Sequence, residues 1–506
     1  MTADATGDNA RAYRFGPLDR GGWILGLGAA PCLSLAGGVV VAGTLLDRRA
    51  HPAIVITPLL VGAILAFGSW EGRAVHEWLP VALRHGARRA SGGAGWRAPL
   101  PLLTGRASDQ RTEPPLPPFL SGLSILDAGP ATWAGSTPIG VVRDRRDRTI
   151  SASVPVAGRA FSLGERAEQE RLLQSWGDVL GGFCTERGPV GRVRVTEWAA
   201  PVGVGDHEEY LADHGHSRGT AQARADYEQL LASAGPGAVG HEVLVTITVE
   251  LRRVKATRRA GRADDAAVDL LLEELRTLAN RLDAAGLHAG PPLTPTATAV
   301  ALRRRLDPAT VRRLATRRAS LAEATGLVSP WNAGPLATEI GWGSVRVDGS
   351  FHRTYWIAEW PRLDVGPAWL EPVLLHAGGV RTFALHYEPT PPSRSHRRID
   401  RDSTRLAADE EQRNRGGFRI GARHRRAQAA VLEREAELVA GYHELEHAGF
   451  VTVSAHDEAT LARSCAEYEQ VAAQAGLELR ALDGRHELGL VCALPLGRGL
   501  ARRRFA

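Results

Sequence analysis

The chain has almost no lysine, although it is basic. Among its 506 residues, Lys255 is the only lysine, so the 62 basic residues are nearly all arginine, and the formal net charge is +6. Arginine accompanies abundant alanine, glycine and proline, a pattern typical of biased genome composition. The basic balance alone therefore does not predict nucleic-acid binding, for which basic side chains must be clustered on one face.

Cysteine is also scarce, and its spacing excludes several metal and redox sites. The four cysteines are Cys32, Cys184, Cys465 and Cys492, and no two of them form a Cys-x-x-Cys pair. This excludes a zinc ribbon and a thioredoxin-type site. Cys32 lies in an apolar run and Cys492 in "LGLVCALPLG", which predicts a strand, so both are expected to be small buried hydrophobic residues.

The common motifs of nucleotide binding and nucleophilic catalysis are missing. The only lysine lies in "RRVKATRR" without the preceding glycine of a P-loop, and no Gly-x-Gly-x-x-Gly opens a βα unit. There is no Gly-x-Ser-x-Gly elbow. Paired carboxylates occur in charged segments such as "LAADEEQRNR", which predict solvated helix faces. We therefore predict no catalytic residue, no cofactor and no enzymatic activity.

One catalytic motif is present, His-Glu-x-x-His at His443, Glu444 and His447. On a helix this spacing places two imidazoles on one face to bind zinc, with the glutamate as general base. The charged Glu446 inside the motif, a glycine two residues after it, and Phe450 where the longer metzincin motif needs glycine all argue against zinc. We predict that "YHELEH" is the last turn of a charged helix, without a bound metal. A membrane zinc peptidase stays open as an alternative.

Two long uncharged runs lie near the N-terminus, at residues 23–46 and 53–70. A helical span needs roughly 20 apolar residues, so both runs predict transmembrane helices joined by a short turn. Trp23 and Trp70 mark the outer ends, where such rings favour the membrane interface. A cleaved signal peptide fits poorly because a second apolar run follows directly, and buried soluble helices are the other alternative.

Arginines predict the orientation of this hairpin. The turn carries Arg48 and Arg49, partly offset by Asp47. More basic residues flank the outer ends, namely Arg11, Arg14, Arg20, Arg73, Arg84, Arg88 and Arg89. The positive-inside rule therefore places both termini in the cytoplasm, in a two-pass cell-membrane protein.

The remaining sequence mixes helical and strand patterns and predicts an α+β fold, with helices packed on mostly antiparallel sheet. The long charged stretch 393–447 predicts two helices separated by glycines. The predicted segments are a cytoplasmic segment (1–22), a transmembrane hairpin (23–70), a juxtamembrane segment and Pro/Gly linker (71–120), a first cytoplasmic α+β domain (121–345), and a second one (346–506) that contains the charged insertion.

The order of these segments resembles a known group of proteins. "TYWIAEWPRLDVGPAWLEPVLL", "RTFALHYEPTPPSRSHRR", the charged helices, "HAGFVTVSAHDEATLARSCAEYEQVAAQAGLELRAL" and "LPLGRG" resemble in order the N-terminal, non-ATPase region of the conjugative-transfer and type IV secretion ATPases. The N-terminal hairpin resembles the two-helix membrane subunit that accompanies or fuses to such ATPases. The whole chain looks like actinobacterial membrane proteins of conjugation-like gene clusters.

The resemblance implies a membrane scaffold subunit of a secretion or conjugation apparatus that docks a separate ATPase and other membrane subunits. It also implies contact with membrane lipid, possible homo-oligomers and no direct nucleic-acid binding. The residues proposed for docking are Tyr355, Trp356, Trp360, Pro361 and Arg498. For the aromatic residues, ordinary core packing is the alternative. A type VII secretion membrane component is the alternative system.

Overall fold

The chain divides into two compact units, a smaller one at Pro17–Gly95 and a larger one that contains Trp96–Ala506. A computed structural model describes residues 29–70, 73–99, 115–129, 138–158, 161–201, 220–234, 239–254, 262–309, 334–415 and 421–499.

Helices dominate the described part of the smaller unit. Its elements are α1 (Ala29–Asp47), α2 (Pro52–Phe67), β1 (Ser69–Trp70), β2 (Arg73–Ala74) and α3 (Val75–Ala90). Helix α2 begins at Pro52. The N–H of a first helical residue has no acceptor within the helix, so proline, which lacks this N–H, loses no hydrogen bond at that position. Helix α1 overlaps the first predicted apolar run and ends one residue beyond it, at Asp47, whereas α2 begins one residue before the second run, at Pro52. Residues 23–28 of the first run, including Trp23, fall outside the described part of the chain.

The larger unit is built on one extensive sheet. Its strands are β3 (Gly95–Arg97), β4 (Leu123–Asp127), β5 (Gly140–Asp144), β6 (Thr149–Ala157), β7 (Val190–Pro201), β8 (Val239–Glu250), β9 (His288–Ala289), β10 (Ala337–Ile340), β11 (Val345–Val347), β12 (Ser350–Glu359), β13 (Val380–Pro389), β14 (Leu445–Ala455) and β15 (Glu478–Ala481).

The strand order is β3-β10-β11-β12-β14-β13-β7-β8-β6-β5-β4, with β15 beside β12 and β9 beside β6. The strand pairs from β10 to β4 are antiparallel. Strand β7 joins the two halves of the sheet. Its Glu197 lies opposite Phe383 of β13 at one edge and opposite Val243 of β8 at the other. Antiparallel pairing satisfies the backbone groups of β7 along both edges.

Helices cover both faces of this sheet. The helices of the larger unit are α4 (Arg166–Gly181), α5 (Ala221–Ala234), α6 (Arg262–Ala284), α7 (Pro295–Leu306), α8 (Glu371–Leu374), α9 (Pro392–Arg415), α10 (Ala422–Val439), α11 (Glu458–Gln474) and α12 (His486–Ala493). Helices α4, α6, α8 and α11 pack on one face, here called the first face. Helices α7 and α12 pack on the second face.

The strands separate their side chains between these faces by the two-residue period of β structure. Tyr355 and Ile357 of β12 enter the core beneath α11, whereas Trp356 between them packs against α12 on the second face. Because both faces are covered, the central strands are apolar or hydrogen-bonded on both sides. This explains why several of them do not alternate cleanly between apolar and polar residues.

The observed fold confirms the α+β class, with mixed helix and antiparallel sheet. The predicted division at residue 345 differs from the structure, because it falls at β11 and both segments contribute strands to one sheet. Pairing of β7 with β13 removes the free sheet edge at which two separate domains could end. Part of the predicted linker also belongs to this unit, since Phe119 and Leu120 are buried in its core. Residues 100–114 lie outside the described ranges.

Two local predictions are wrong. The second charged helix ends at Val439, not at His447, and β14 already begins at Leu445. Gly441 has a positive φ of 96° in the intervening turn, a conformation that favours glycine. The segment around Cys492 is the helix α12 and not a strand. Apolar runs of this length do not distinguish a buried strand from a buried helix.

Candidate functional site

The helix pair α1–α2 presents apolar side chains outward. Val40 of α1 and Ile64 of α2 are exposed, as are most other large apolar side chains of both helices. A soluble unit would bury such a surface, so this exposure favours a lipid environment. Helix α1 has the length and composition to cross a membrane over Ala30–Asp47, whereas Pro52–Phe67 is apolar but shorter.

Small residues allow α1 and α2 to approach closely. A Cβ on Gly38 would lie 2.7 Å from the carbonyl oxygen of Pro58, and a Cβ on Gly62 would lie 2.9 Å from that of Ser34. Real Cβ atoms do not approach an oxygen so closely, so both positions require glycine. Close packing of small residues is the usual contact between helices in lipid, where the hydrophobic effect between helices is lost.

Helices α9 and α10 form a paired helical arm within the larger unit. Between the helices, Arg434 pairs with Asp402 at 2.7 Å, and Gln428 donates to Glu410 at 2.5 Å. The start of α9 is fixed by Glu186, which accepts hydrogen bonds from the backbone N–H (2.6 Å) and hydroxyl (2.8 Å) of Ser393. These hydrogen bonds hold the pKa of the Glu186 carboxyl below its usual value.

The outward side of α10 is distinct from the side that contacts α9. Leu432 and Val439 are 64% and 79% exposed, and Ala429 and Ala436 lie exposed between and beside them. This spacing of three and four residues places all four side chains along one face of the helix. The arm therefore offers an apolar stripe with charged borders, a surface suited to a protein partner.

The five residues predicted for docking do not form such a surface. Tyr355, Trp356, Pro361 and Arg498 are buried, and Trp360 is partly buried. The hydroxyl of Tyr355 donates to Glu469 at 2.6 Å on the first face, while Trp356 packs on the second face. Alternation along β12 thus separates two residues that the sequence placed in one patch. Core packing, the alternative considered for the aromatic residues, describes their positions.

Arg498 lies at the centre of a buried polar network. Its guanidinium forms a two-pronged ion pair with Asp144, at 2.7 Å and 2.8 Å, and donates to the backbone oxygens of Phe119 (2.8 Å) and Ser121 (2.7 Å). Asp144 also accepts from the backbone N–H of Arg146 at 2.9 Å. The network joins the C-terminal segment to β5 and to the segment before β4.

Two further arginines hold the same C-terminal segment against the second face of the sheet. Arg194 is fully buried in β7 and donates to the backbone oxygens of Leu494 and Arg498. Arg192 donates to the oxygen of Gly497 at 2.9 Å and pairs with Glu388 at 2.6 Å. Burial lowers the pKa of Arg194 to about 9. The guanidinium stays protonated at neutral pH and fixes residues 494–498 in place.

A second buried polar cluster lies on the first face. Glu197 lies 2.7 Å from Nδ1 of His241 and 3.4 Å from Nη2 of Arg381. The other carboxylate oxygen of Glu197 and the hydroxyl of Tyr468 are buried without a hydrogen-bond partner among the described residues. Burial raises the pKa of Tyr468, which keeps its hydroxyl neutral. Buried polar atoms of this kind commonly bind a water molecule. Sequence reasoning missed this cluster because its residues come from β7, β8, β13 and α11.

The His-Glu-x-x-His motif is not helical, so its spacing does not place the two imidazoles on one helix face. His443 and Glu444 lie in the turn after α10, and His447 is part of β14. His443 contacts Gly181 of α4, whereas the ring of His447 meets Trp360 edge-on, with centroids 5.2 Å apart. Glu444 pairs with Arg398 at 3.4 Å. In the described part of the chain, no group of three His, Cys, Asp or Glu side chains is arranged to hold a metal ion.

Comparisons with protein-family models and with curated proteins find no match for this chain.

Proposed function

We propose that the protein is an integral membrane scaffold subunit of a type IV secretion or conjugation-like apparatus, which docks a separate ATPase and has no catalytic activity of its own. The observation that carries this proposal is the outward apolar surface of α1 and α2 in a chain whose larger unit is a folded α+β sheet. The resemblance of segment order to the non-ATPase region of conjugative ATPases supports the choice of apparatus.

In this proposal α1 and α2 both cross the cell membrane as a hairpin, with both termini in the cytoplasm. Helix α2 has 16 residues, about 24 Å at 1.5 Å per residue, so the flanking segment must complete the crossing of a hydrocarbon core roughly 30 Å thick. Arg48 and Arg49 in the turn would face the outside. Cysteine accessibility in intact cells tests this topology. Labelling of an Arg49→Cys variant from outside is expected, and labelling only after the membrane is opened would contradict it.

The outward stripe of the α9–α10 arm is the proposed docking surface for the ATPase. It combines exposed apolar side chains of α10 with an ion pair, Arg434–Asp402, that holds α10 against α9. Interfaces between proteins commonly have an apolar centre with a polar rim. This assignment replaces the buried residues Tyr355 and Trp356 as the docking candidates.

Affinity purification from native membranes tests the function. Capture of a conjugation-type ATPase is expected with the wild-type protein and is expected to fall strongly in a Leu432→Glu/Val439→Glu variant. The matched control is Leu363→Glu, because Leu363 is also exposed, at 81%, but lies outside the arm. Capture of a type VII secretion set would support the alternative system. Capture of no secretion component would contradict both assignments.

A further inference from the structure

Helix α3 has an apolar face that no other described element of the smaller unit covers. Leu79 and Leu83 are 47% and 64% exposed, and the smaller residues Ala82, Gly86 and Ala90 are exposed beside them. At 100° per residue these positions fall on one side of the helix, and none of them is charged. The opposite side carries Val81, which is buried.

Charged residues lie at the borders of this face. Arg84 and Arg89 are exposed and lie on either side of the leucine face, roughly 120° and 100° from the midpoint between Leu79 and Leu83 at 100° per residue. Glu77, the only acidic residue in α3, lies away from the face. An apolar face with arginines at its borders is the pattern of helices that lie in a membrane interface, where phosphate groups meet the guanidinium groups.

The start of α3 is tied directly to the end of α2. The backbone N–H of Val75 donates to the oxygen of Gly68 at 2.9 Å, and Nδ1 of His76 lies 3.1 Å from the oxygen of Leu65. The first turn of α3 is therefore fixed beside the last turn of α2. If α2 crosses a bilayer, α3 begins at the surface of that bilayer.

We infer that α3 lies in the membrane interface, with Leu79 and Leu83 inserted below the headgroups and with Arg84 and Arg89 contacting anionic lipid. This inference rests on the proposed membrane anchor and adds its lipid contact. A lipid surface fits better than a protein groove, because the adjoining α2 also exposes the apolar side chains of Ile64 and Phe67. The arginines favour a surface of negative charge.

Depth-dependent quenching in the full-length protein tests the inference. In a Cys32→Ala background, single variants Leu83→Cys, Glu77→Cys and Ile64→Cys are labelled with an environment-sensitive fluorophore and reconstituted into vesicles that contain brominated phosphatidylcholine. We expect quenching at Leu83 to be several-fold stronger than at Glu77, the matched position away from the leucine face. Strong quenching is also expected at Ile64.

Each outcome has a defined meaning. Quenching at Ile64 without quenching at Leu83 would overturn the inference and leave the membrane anchor intact. Absence of quenching at both positions would overturn the anchor itself. With brominated phosphatidylglycerol in place of brominated phosphatidylcholine, we expect stronger quenching at Leu83. We expect an Arg84→Gln/Arg89→Gln variant to lose this excess of quenching by phosphatidylglycerol over phosphatidylcholine. An excess that survives in this variant would overturn the role assigned to the arginines.

Discussion

The ion pair between Arg498 and Asp144 offers a quantitative test of how the C-terminal segment is held. Both side chains are almost completely buried, with 8% and 2% of their surfaces exposed. Replacing Arg498 with leucine would leave the carboxylate of Asp144 buried with only the backbone N–H groups of Arg146 and Asp147 as hydrogen-bond donors among those identified. Removal of one partner of such a buried pair costs about 3–5 kcal/mol.

The double variant separates the pair interaction from ordinary packing. In Asp144→Leu/Arg498→Leu neither buried charge remains, so its loss of stability should be smaller than the sum of the two single losses. We expect a coupling free energy of about 2–3 kcal/mol, in the upper range for contacting residues. The large single loss and the large coupling share one cause, the desolvated charge that each single substitution leaves behind.

Urea unfolding of the full-length protein in detergent, followed by tryptophan fluorescence, gives these free energies. Hydrogen exchange across residues 490–499 then shows whether the C-terminal segment is released locally before the sheet unfolds. A coupling below about 0.5 kcal/mol would refute the reasoning, since that is the value expected for an exposed, solvent-screened pair.

Three further predictions concern other parts of the molecule. His352 lies fully buried, and desolvation lowers its pKa to about 4. Between about pH 6.5 and pH 4, the unfolded chain binds a proton at this histidine and the folded chain does not. The free energy of unfolding should therefore fall by roughly 3 kcal/mol as the pH falls from 6.5 to 4. Urea midpoints across this range measure the fall, and His352→Gln should reduce it. Gly38→Val should separate α1 from α2. Gly37→Val is the control and should not separate them, because nothing lies within 4 Å of a Cβ at Gly37. Disulfide cross-linking between one cysteine placed on each helix measures the difference. Trp356→Ala should lower the free energy of unfolding by about 3–5 kcal/mol, because the substitution leaves a cavity in the core. Unchanged stability together with lost capture of the ATPase would contradict this and make Trp356 a docking residue again.

Much of the secondary structure follows from local sequence patterns. The apolar run of "HEVLVTITVE" predicts β8, and the amphipathic run that ends before Gly286 predicts α6. Gly286 has a positive φ of 79°, as a glycine just beyond a helix end often does. The apolar residues of α1 likewise predict a helix suited to lipid. These features depend on neighbouring residues, so the sequence contains their full cause.

The error at the His-Glu-x-x-His motif shows the limit of local reasoning. The spacing of His443 and His447 fits one helix turn, but backbone pairing of β14 with β13 places His447 opposite Tyr387 in a sheet. A strand of another segment provides that pairing, and the charged residues around the motif do not indicate it. Tertiary pairing therefore decided the backbone conformation at this site.

The sequence by itself determined the α+β class, the apolar N-terminal helices and the paired charged helices, because hydrophobic period and turn residues act over short distances. Only the tertiary structure decided that both predicted domains share one sheet, that Tyr355 and Trp356 are buried on opposite faces, and that Arg498 reaches Asp144. Those outcomes depend on which strands pair and which side chains lose their water. Both are properties of residues that are distant along the chain.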